Sequence, residues 1–388
     1  MGAPSVWRRT PHRPEDYFSP HELDRSRRYQ GPLARLRMVR GAIGLVATLL
    51  FVVLEAGPKL IARVGVDNWV LQLMVIMVAL DLLALLWDPA LDWWVDMVHD
   101  KKWEISRQTA TGFAADQAKS FALGLVMNSV LLIPLYAIVR TTSWWWLIGW
   151  LLSAVFVVGL GFLYPVLIAP IFNRFEPLEA GELADRLVAV AERAAVPIEG
   201  AFVADESRRS TRDNAYVAGY GATRRVVLYD TLLEHPPQVV EQVVAHEIGH
   251  VRRRHLHRQL PAMALMLLMG FGALRLVAGW DGLFEAVGVD GVRDPASLPI
   301  AGITVGAVFS VAGLAMAWLS RAFEREADLE ALDLLGRPDL MADMLKRLHT
   351  KNLADLDPSL FTRIRMSHPA AAERLAFTGA WTPAPGSK

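Results

Sequence analysis

Apolar residues gather in six blocks, at about 41–62, 69–87, 121–139, 144–172, 259–280 and 299–320. Each comes near the roughly 20 residues that a helix needs to cross a bilayer. Glu55, Pro58 and Lys59 interrupt the first block, and Pro165 and Pro170 predict an end or a kink in the fourth. Residues 1–40 are polar, with a short helix predicted over Pro20–Tyr29. Two other stretches have the pattern of a water-exposed domain. Within 173–258, Leu183, Leu187, Val190 and Ala194 share one face of a predicted helix over Leu178–Ala195. Strands are predicted over Gly200–Ala204 and Arg225–Tyr229, with Asn214–Gly219 extended between them. A helix follows Pro236-Pro237, since proline suits the first helical turn. Residues 321–377 read as helices.

The chain therefore divides into an arm with four spans (1–172), a water-exposed region (173–258), two further spans (259–320), a C-terminal region (321–377) and a flexible tail (378–388). The expected fold is an all-α polytopic membrane protein of about six transmembrane helices carrying a small α+β domain. Lys+Arg and Asp+Glu both number 40, so charge offers no reason to expect a nucleic acid partner. The absence of cysteine excludes disulfides, thiol nucleophiles and Cys-bound zinc. No short apolar stretch with a small-residue cleavage site follows the start, so no signal peptide is expected. Basic residues concentrate in the arm, in the 88–120 connection and in 173–258. The positive-inside rule then places both termini and the 173–258 region in the cytoplasm. Trp93-Trp94 and Trp144-Trp145-Trp146 fit interfacial belts. Asp81, Asn128 and Arg275 fall inside expected spans, where polar groups face the bundle or a water-filled cavity.

The informative string is His246-Glu247-Ile248-Gly249-His250, an H-E-x-x-H motif on the helix that begins near Gln238. Residues i and i+4 share a helix face, so both imidazoles can address one tetrahedral Zn²⁺. Glu247 lies a step around, placed to accept a proton from water rather than to bind the metal. A third ligand is needed, and Glu324 supplies it. Asp328, on the same face four residues later, becomes the carboxylate that orients a ligand histidine. Glu326 points nearly the opposite way and reads as a solvated alternative. Two spans lie between His250 and Glu324, one leaving and one returning, which brings the third ligand back to the same membrane side. Arg252–Arg258 is expected to continue the motif helix to the membrane border.

Further strings carry a family resemblance. They are Trp103–Thr109, Pro170–Phe175 with Pro177-Leu178, Asn214-Ala215-Tyr216-Val217 with Gly219, Arg225–Leu233, and Ser367-His368-Pro369 with Arg374. Together with the zinc motif they make the chain resemble the M48 metallopeptidases of the Ste24 type, membrane-embedded CAAX-type endopeptidases with a gluzincin-type peptidase domain. The resemblance implies one Zn²⁺ held by His246, His250 and Glu324, with Glu247 as the base. It implies that Asn214, Ala215 and Tyr216 lie on an edge strand that pairs with a peptide substrate. It also implies that His368 donates a hydrogen bond to the oxyanion, and that Arg374 is a structural ion-pairing residue. One departure stands out: eukaryotic members have five spans before the zinc helix, and four are counted here.

The reading is a zinc endopeptidase of the bilayer. It would cleave peptide or membrane-protein segments, CAAX-type or misfolded, at the cytoplasmic face. The predominance of Arg over Lys hints at a bacterial cell membrane. The alternative is an inactive membrane scaffold or transport component retaining a structural zinc site. Nothing in the sequence specifies an oligomer, and a monomer suffices for this site.

Overall fold

The computed structural model describes residues 12–383. Among these, six helices are long and apolar enough to cross a membrane: Pro20–Val53, Trp69–Lys102, Ala110–Thr141, Trp145–Phe172, His255–Val277 and Pro295–Leu335. Several overrun the apolar blocks that announce them. The unbroken helix Leu298–Leu335 has 38 residues. At 1.5 Å per residue it reaches about 57 Å, nearly twice the hydrocarbon thickness of a bilayer. Its second half therefore stands outside the membrane, and the boundary expected at 320/321 falls inside one continuous helix. The first helix likewise starts at Pro20, where Ser19 and Glu22 form a reciprocal capping box. It joins the short helix predicted from Pro20 to the first apolar block. That block then breaks at Glu55, whose φ of 54° is left-handed, and resumes as Ala56–Val64.

The 88–120 connection is mostly helix. The second span runs on through a π-helical turn at Trp94–His99 to Lys102, and the third begins at Ala110. Near Pro165 the fourth span passes into another π-turn, Tyr164–Ile168, and ends at Phe172. Trp144 is exposed as an interfacial residue should be, but Trp145 is buried. Between the spans lies a cavity of about 900 Å³ whose wall includes Arg40, Asp81, Asp88, Asn128 and Ser310.

Outside the spans, four short strands make a mixed sheet: β1 (Phe175–Pro177), β2 (Gly200–Ala204), β3 (Ala215–Ala218) and β4 (Arg225–Tyr229), in the order β1-β2-β4-β3. β2 and β4 are parallel, and both outer pairs are antiparallel. The helix expected over Leu178–Ala195 is shorter, Glu182–Arg193, starting after Gly181. Its buried Leu187 and Val190 join Val226 and Leu228 of the sheet, Val240, Val244 and Ile248 of the motif helix, and Leu332, Met341, Leu345 and Leu375 in one core. Residues from both sides of the last two spans thus build a single domain, held by area-proportional apolar burial. The last helix, Ala371–Ala380, passes the expected start of the tail at 378, because Phe377 and Thr378 are buried. Residues 384–388 of that tail lie outside the described residues.

The N-terminal arm is bound into the same domain. Phe18 and Leu23 enter its core. Tyr29 donates 2.7 Å to Asp100 at the end of the second span, and Asp100 also pairs with Arg212 of the loop before β3.

Candidate active site

The motif helix, Pro237–Arg252, has Val239, Val240, Val244, Ala245 and Ile248 in the core, which turns His246 and His250 toward the long helix Leu298–Leu335. The two helices touch where Gly249 meets Ala327. At that height one donor group assembles from His246, His250 and Glu324. The Nε2 atoms of the histidines are 3.2 Å apart. Glu324 Oε2 is 3.3 Å from His246 Nε2, and its Oε1 is 3.4 Å from His250 Nε2. Tetrahedral zinc with ligands at about 2.0–2.1 Å separates its donor atoms by roughly 3.3 Å. The observed spacings match, and the donor chemistry of two imidazoles and one carboxylate is of the kind zinc takes. Glu324 Oε2 is buried with no hydrogen bond among the described residues, as a ligand atom would be.

Behind His246, its Nδ1 lies 2.9 Å from Asp328 Oδ1. Asp328 accepts from both Nε and Nη2 of buried Arg374, at 2.8 and 2.6 Å. Burial opposes charge on His246, yet the Asp328 and Glu324 carboxylates overcome it and hold the imidazole up at about 10. Burial pushes the Glu247 carboxyl upward, toward the range of a working base, against the pull of the two histidines.

A cavity of about 340 Å³ opens beside this group, its wall including Asn214, Ala215, Glu247, His349, His368 and Arg374. His368 is half exposed. Its Nε2 stands 3.4 Å from Glu324 Oε2, and its Nδ1 is 2.9 Å from Ser367 Oγ. Asn214 and Ala215 reach the cavity, whereas Tyr216 does not line it. β3 is an outer strand of the sheet, so one edge of it is open. Its pairing with β4 turns the backbone of Asn214 and Tyr216 inward, since Tyr229 N donates to Asn214 O at 3.0 Å and Tyr216 opposes Val227. Ala215 and Val217 alternate with these and face the open edge.

Two expectations need correction. Arg252–Arg258 does not extend the motif helix: it ends at Arg252, Arg254 turns left-handed (φ 55°), and a new helix starts at His255. Arg252 and Arg253 instead clasp the buried Glu330 of the long helix. Glu326 is not free in solvent, because Arg258 and His255 both bind it. Sequence reasoning passed over His349 and His255. The first lies on the helix Pro338–Lys351, whose position depends on packing alone. The second is separated from the motif by the break at Arg254.

The comparisons agree with this architecture. Residues 177–382 match the model of peptidase family M48, and residues 6–174 match that of the CAAX prenyl protease N-terminal region, described as five membrane helices. Among the described residues, four of the six candidate spans precede the motif helix. A CAAX prenyl protease 1 homolog from Oryza sativa subsp. japonica is 28% identical over 377 residues, spanning 92% of this chain and 87% of that one. An uncharacterized metalloprotease of Bacillus subtilis, YhfN, is 28% identical over 93% of this chain and 86% of its own. The crystal structure of S. mikatae Ste24p superposes with a TM-score of 0.85 over 94% of this chain and 90% of that one, at 24% identity, which speaks to the fold. The chain belongs to peptidase family M48, as a multi-pass membrane metalloprotease of the Ste24 type.

Proposed function

We propose that His246, His250 and Glu324 hold one Zn²⁺ and that the chain hydrolyses peptide bonds in membrane-associated or hydrophobic protein segments. The observation that carries this is the convergence of two imidazoles and one carboxylate: the histidine Nε2 atoms are 3.2 Å apart, and the Glu324 carboxylate puts one oxygen 3.3 Å from His246 and the other 3.4 Å from His250, close to the edge of a zinc tetrahedron. A zinc ion there supplies Lewis acidity to polarise the scissile carbonyl and to acidify water at the site. Glu247 takes the proton from the attacking water and returns it to the leaving amine. His368, across the cavity mouth, donates an N–H to the oxygen that gains charge. Asp328 fixes the tautomer of His246 by accepting from Nδ1. The open edge of β3 takes the substrate as an added strand, a mode that reads backbone more than side chains. Ala215 and Val217 turn their backbone to that edge, while Asn214 and Tyr216 pair inward with β4 and serve by holding the strand in place.

Relatives named CAAX prenyl protease act on substrates with a lipidated end, and the cavity between the spans, whose wall also carries Leu45, Met77, Leu80, Leu132 and Ile303, offers apolar surface to a hydrophobic segment here. Both termini and the site lie on the cytoplasmic side by the distribution of basic residues. The scaffold alternative has nothing in its favour beyond the metal site itself, since the base and all three ligands are intact.

The test is zinc content together with hydrolysis of a quenched peptide by detergent-purified protein, wild type against Glu247→Gln. About one zinc per chain is expected in both, with activity lost in the variant, because Glu247 is not a ligand. A well-folded wild type without zinc would overturn the reading.

A further inference from the structure

His250 has a second neighbour that no part of the proposed reaction uses. Its Nδ1 lies 2.9 Å from Nδ1 of His255, a residue only 3% exposed. The Nε2 of His255 is 3.2 Å from Glu326 Oε2, and Arg258 grips Glu326 through both of its oxygens. The His255 ring also stacks on Phe323, centroids 4.5 Å apart and planes 11° from parallel, next to the ligand Glu324.

These contacts are directional. If His250 presents a bare Nε2 to a metal, its Nδ1 must carry the hydrogen of the neutral imidazole. That N–H donates to His255 Nδ1, which must then be an acceptor. His255 in turn carries its hydrogen on Nε2 and donates it to the Glu326 carboxylate. Every nitrogen has one role, and the series ends on a carboxylate neutralised by Arg258. We infer that His255 and Glu326 form a hydrogen-bonded relay that fixes the tautomer and ring orientation of His250, making His255 a positioning residue of the metal site. The inference rests on the zinc reading above and deepens it.

The backbone is built to allow it. On a continuous helix, a residue five positions on lies roughly 140° around the axis, facing away. The left-handed Arg254 breaks the helix and swings His255 back beneath His250. The two histidine ligands thus have unequal support. His246 meets a carboxylate directly, while a neutral imidazole separates His250 from its own.

The experiment separates this relay from simple packing. Zinc affinity is read by chelator competition on the full-length protein in detergent, together with the visible spectrum of the Co²⁺-loaded form and the Tm of the metal-free protein. His255→Phe keeps the stack on Phe323 and removes the acceptor. His255→Asn places an amide oxygen near the Nδ1 position and removes the stack. Loss of an outer partner of a ligand histidine costs about 10–100-fold in metal affinity. The relay predicts that loss, with an altered Co²⁺ spectrum, in His255→Phe and a much smaller one in His255→Asn. A packing role predicts the reverse order, and that result, or wild-type affinity in His255→Phe, overturns the inference. Should His255→Phe not fold, Glu326→Ala at the outer end serves instead: lower zinc affinity with an unchanged metal-free Tm supports the relay, and unchanged affinity overturns it. Wild type that holds no zinc would refute the underlying reading instead, so the two failures are told apart.

Discussion

Gly249 rests on the backbone of Ala327. A Cβ at position 249 would stand 3.0 Å from the Ala327 carbonyl oxygen, 3.2 Å from its Cα and 3.1 Å from Glu330 Cβ. Backbone atoms cannot swing aside, so a side chain here must part the helices. Gly249 lies between His246 and His250 in sequence, and Ala327 lies between Glu324 and Asp328. This tight contact between the two helices therefore lies at the height of the donor group. Gly249→Ala is expected to destabilise by about 1–3 kcal/mol through overpacking. Contacts of 3.0–3.2 Å part the helices by a few tenths of an ångström, so activity should fall as well, by less than the roughly 100-fold that a 1 Å misplacement at a reacting centre costs. Thermal unfolding and kcat on one preparation check both.

Arg374 and Asp328 form a buried pair, their side chains 8% and 1% exposed. Removing one partner of such a pair strands the other charge. Arg374→Met should cost about 3–5 kcal/mol, read as a loss of Tm. Asp328→Asn should unfold less readily, because an amide oxygen can still accept from Arg374 and stay near His246 Nδ1, both of which stand within 2.9 Å of the Asp328 carboxylate. Its cost should fall on zinc affinity, at about 10–100-fold. Equal stability losses in the two variants would mean that Arg374 serves the site no more than any buried residue.

How far the sequence reveals this site follows from the kind of spacing each residue uses. His246, Glu247 and His250 sit on one helix, as do Glu324 and Asp328, so helical periodicity alone predicts which of them face together. The return of Glu324 to the same side follows from counting spans. β1, by contrast, has three residues and no alternation to read, and it exists because β2 offers it an edge. His255 is hidden for a different reason: its approach to His250 depends on a left-handed arginine, a conformation that no propensity anticipates at Arg254. The overrun of the long helices past their apolar blocks is also invisible to hydropathy, since the protruding turns are stabilised by the peptidase core rather than by lipid.

His349 yields a pH prediction. It lines the cavity, its Nδ1 is 2.6 Å from the Leu345 carbonyl, and burial, helped by Arg374, lowers it to about 4. The folded protein thus keeps it neutral where the unfolded chain, with an ordinary value of 6.5, already binds a proton. Below pH 6.5 the unfolded state is favoured increasingly, so this contribution to stability is present at neutral pH and drains away as pH falls toward 4. The Tm of the wild type should drop between pH 7 and pH 5 more steeply than that of His349→Leu. Parallel curves would show that the residue does not carry the linkage.

The open edge of β3 permits a test of substrate pairing that leaves the site chemistry alone. Antiparallel alternation turns the Val217 N–H and carbonyl outward, while Tyr216 pairs inward with Val227 of β4. The Ala215 N–H already has a partner, Asn214 Oδ1 at 3.0 Å, which leaves Val217 as the donor best placed for an added strand. Proline is tolerated in an edge strand where its missing N–H would face away from the sheet. Val217→Pro should therefore keep its ladder to β4, with a modest drop in Tm from the Val217 side chain's packing on the core, and lose about 2–10-fold in kcat/KM, the worth of one hydrogen bond, mostly through KM. Tyr216→Pro deletes a ladder bond instead and should lower Tm markedly. If Val217→Pro cleaves peptides as well as the wild type, the substrate does not pair with this edge, and the cavity wall around His349 and His368 must hold it by side chains.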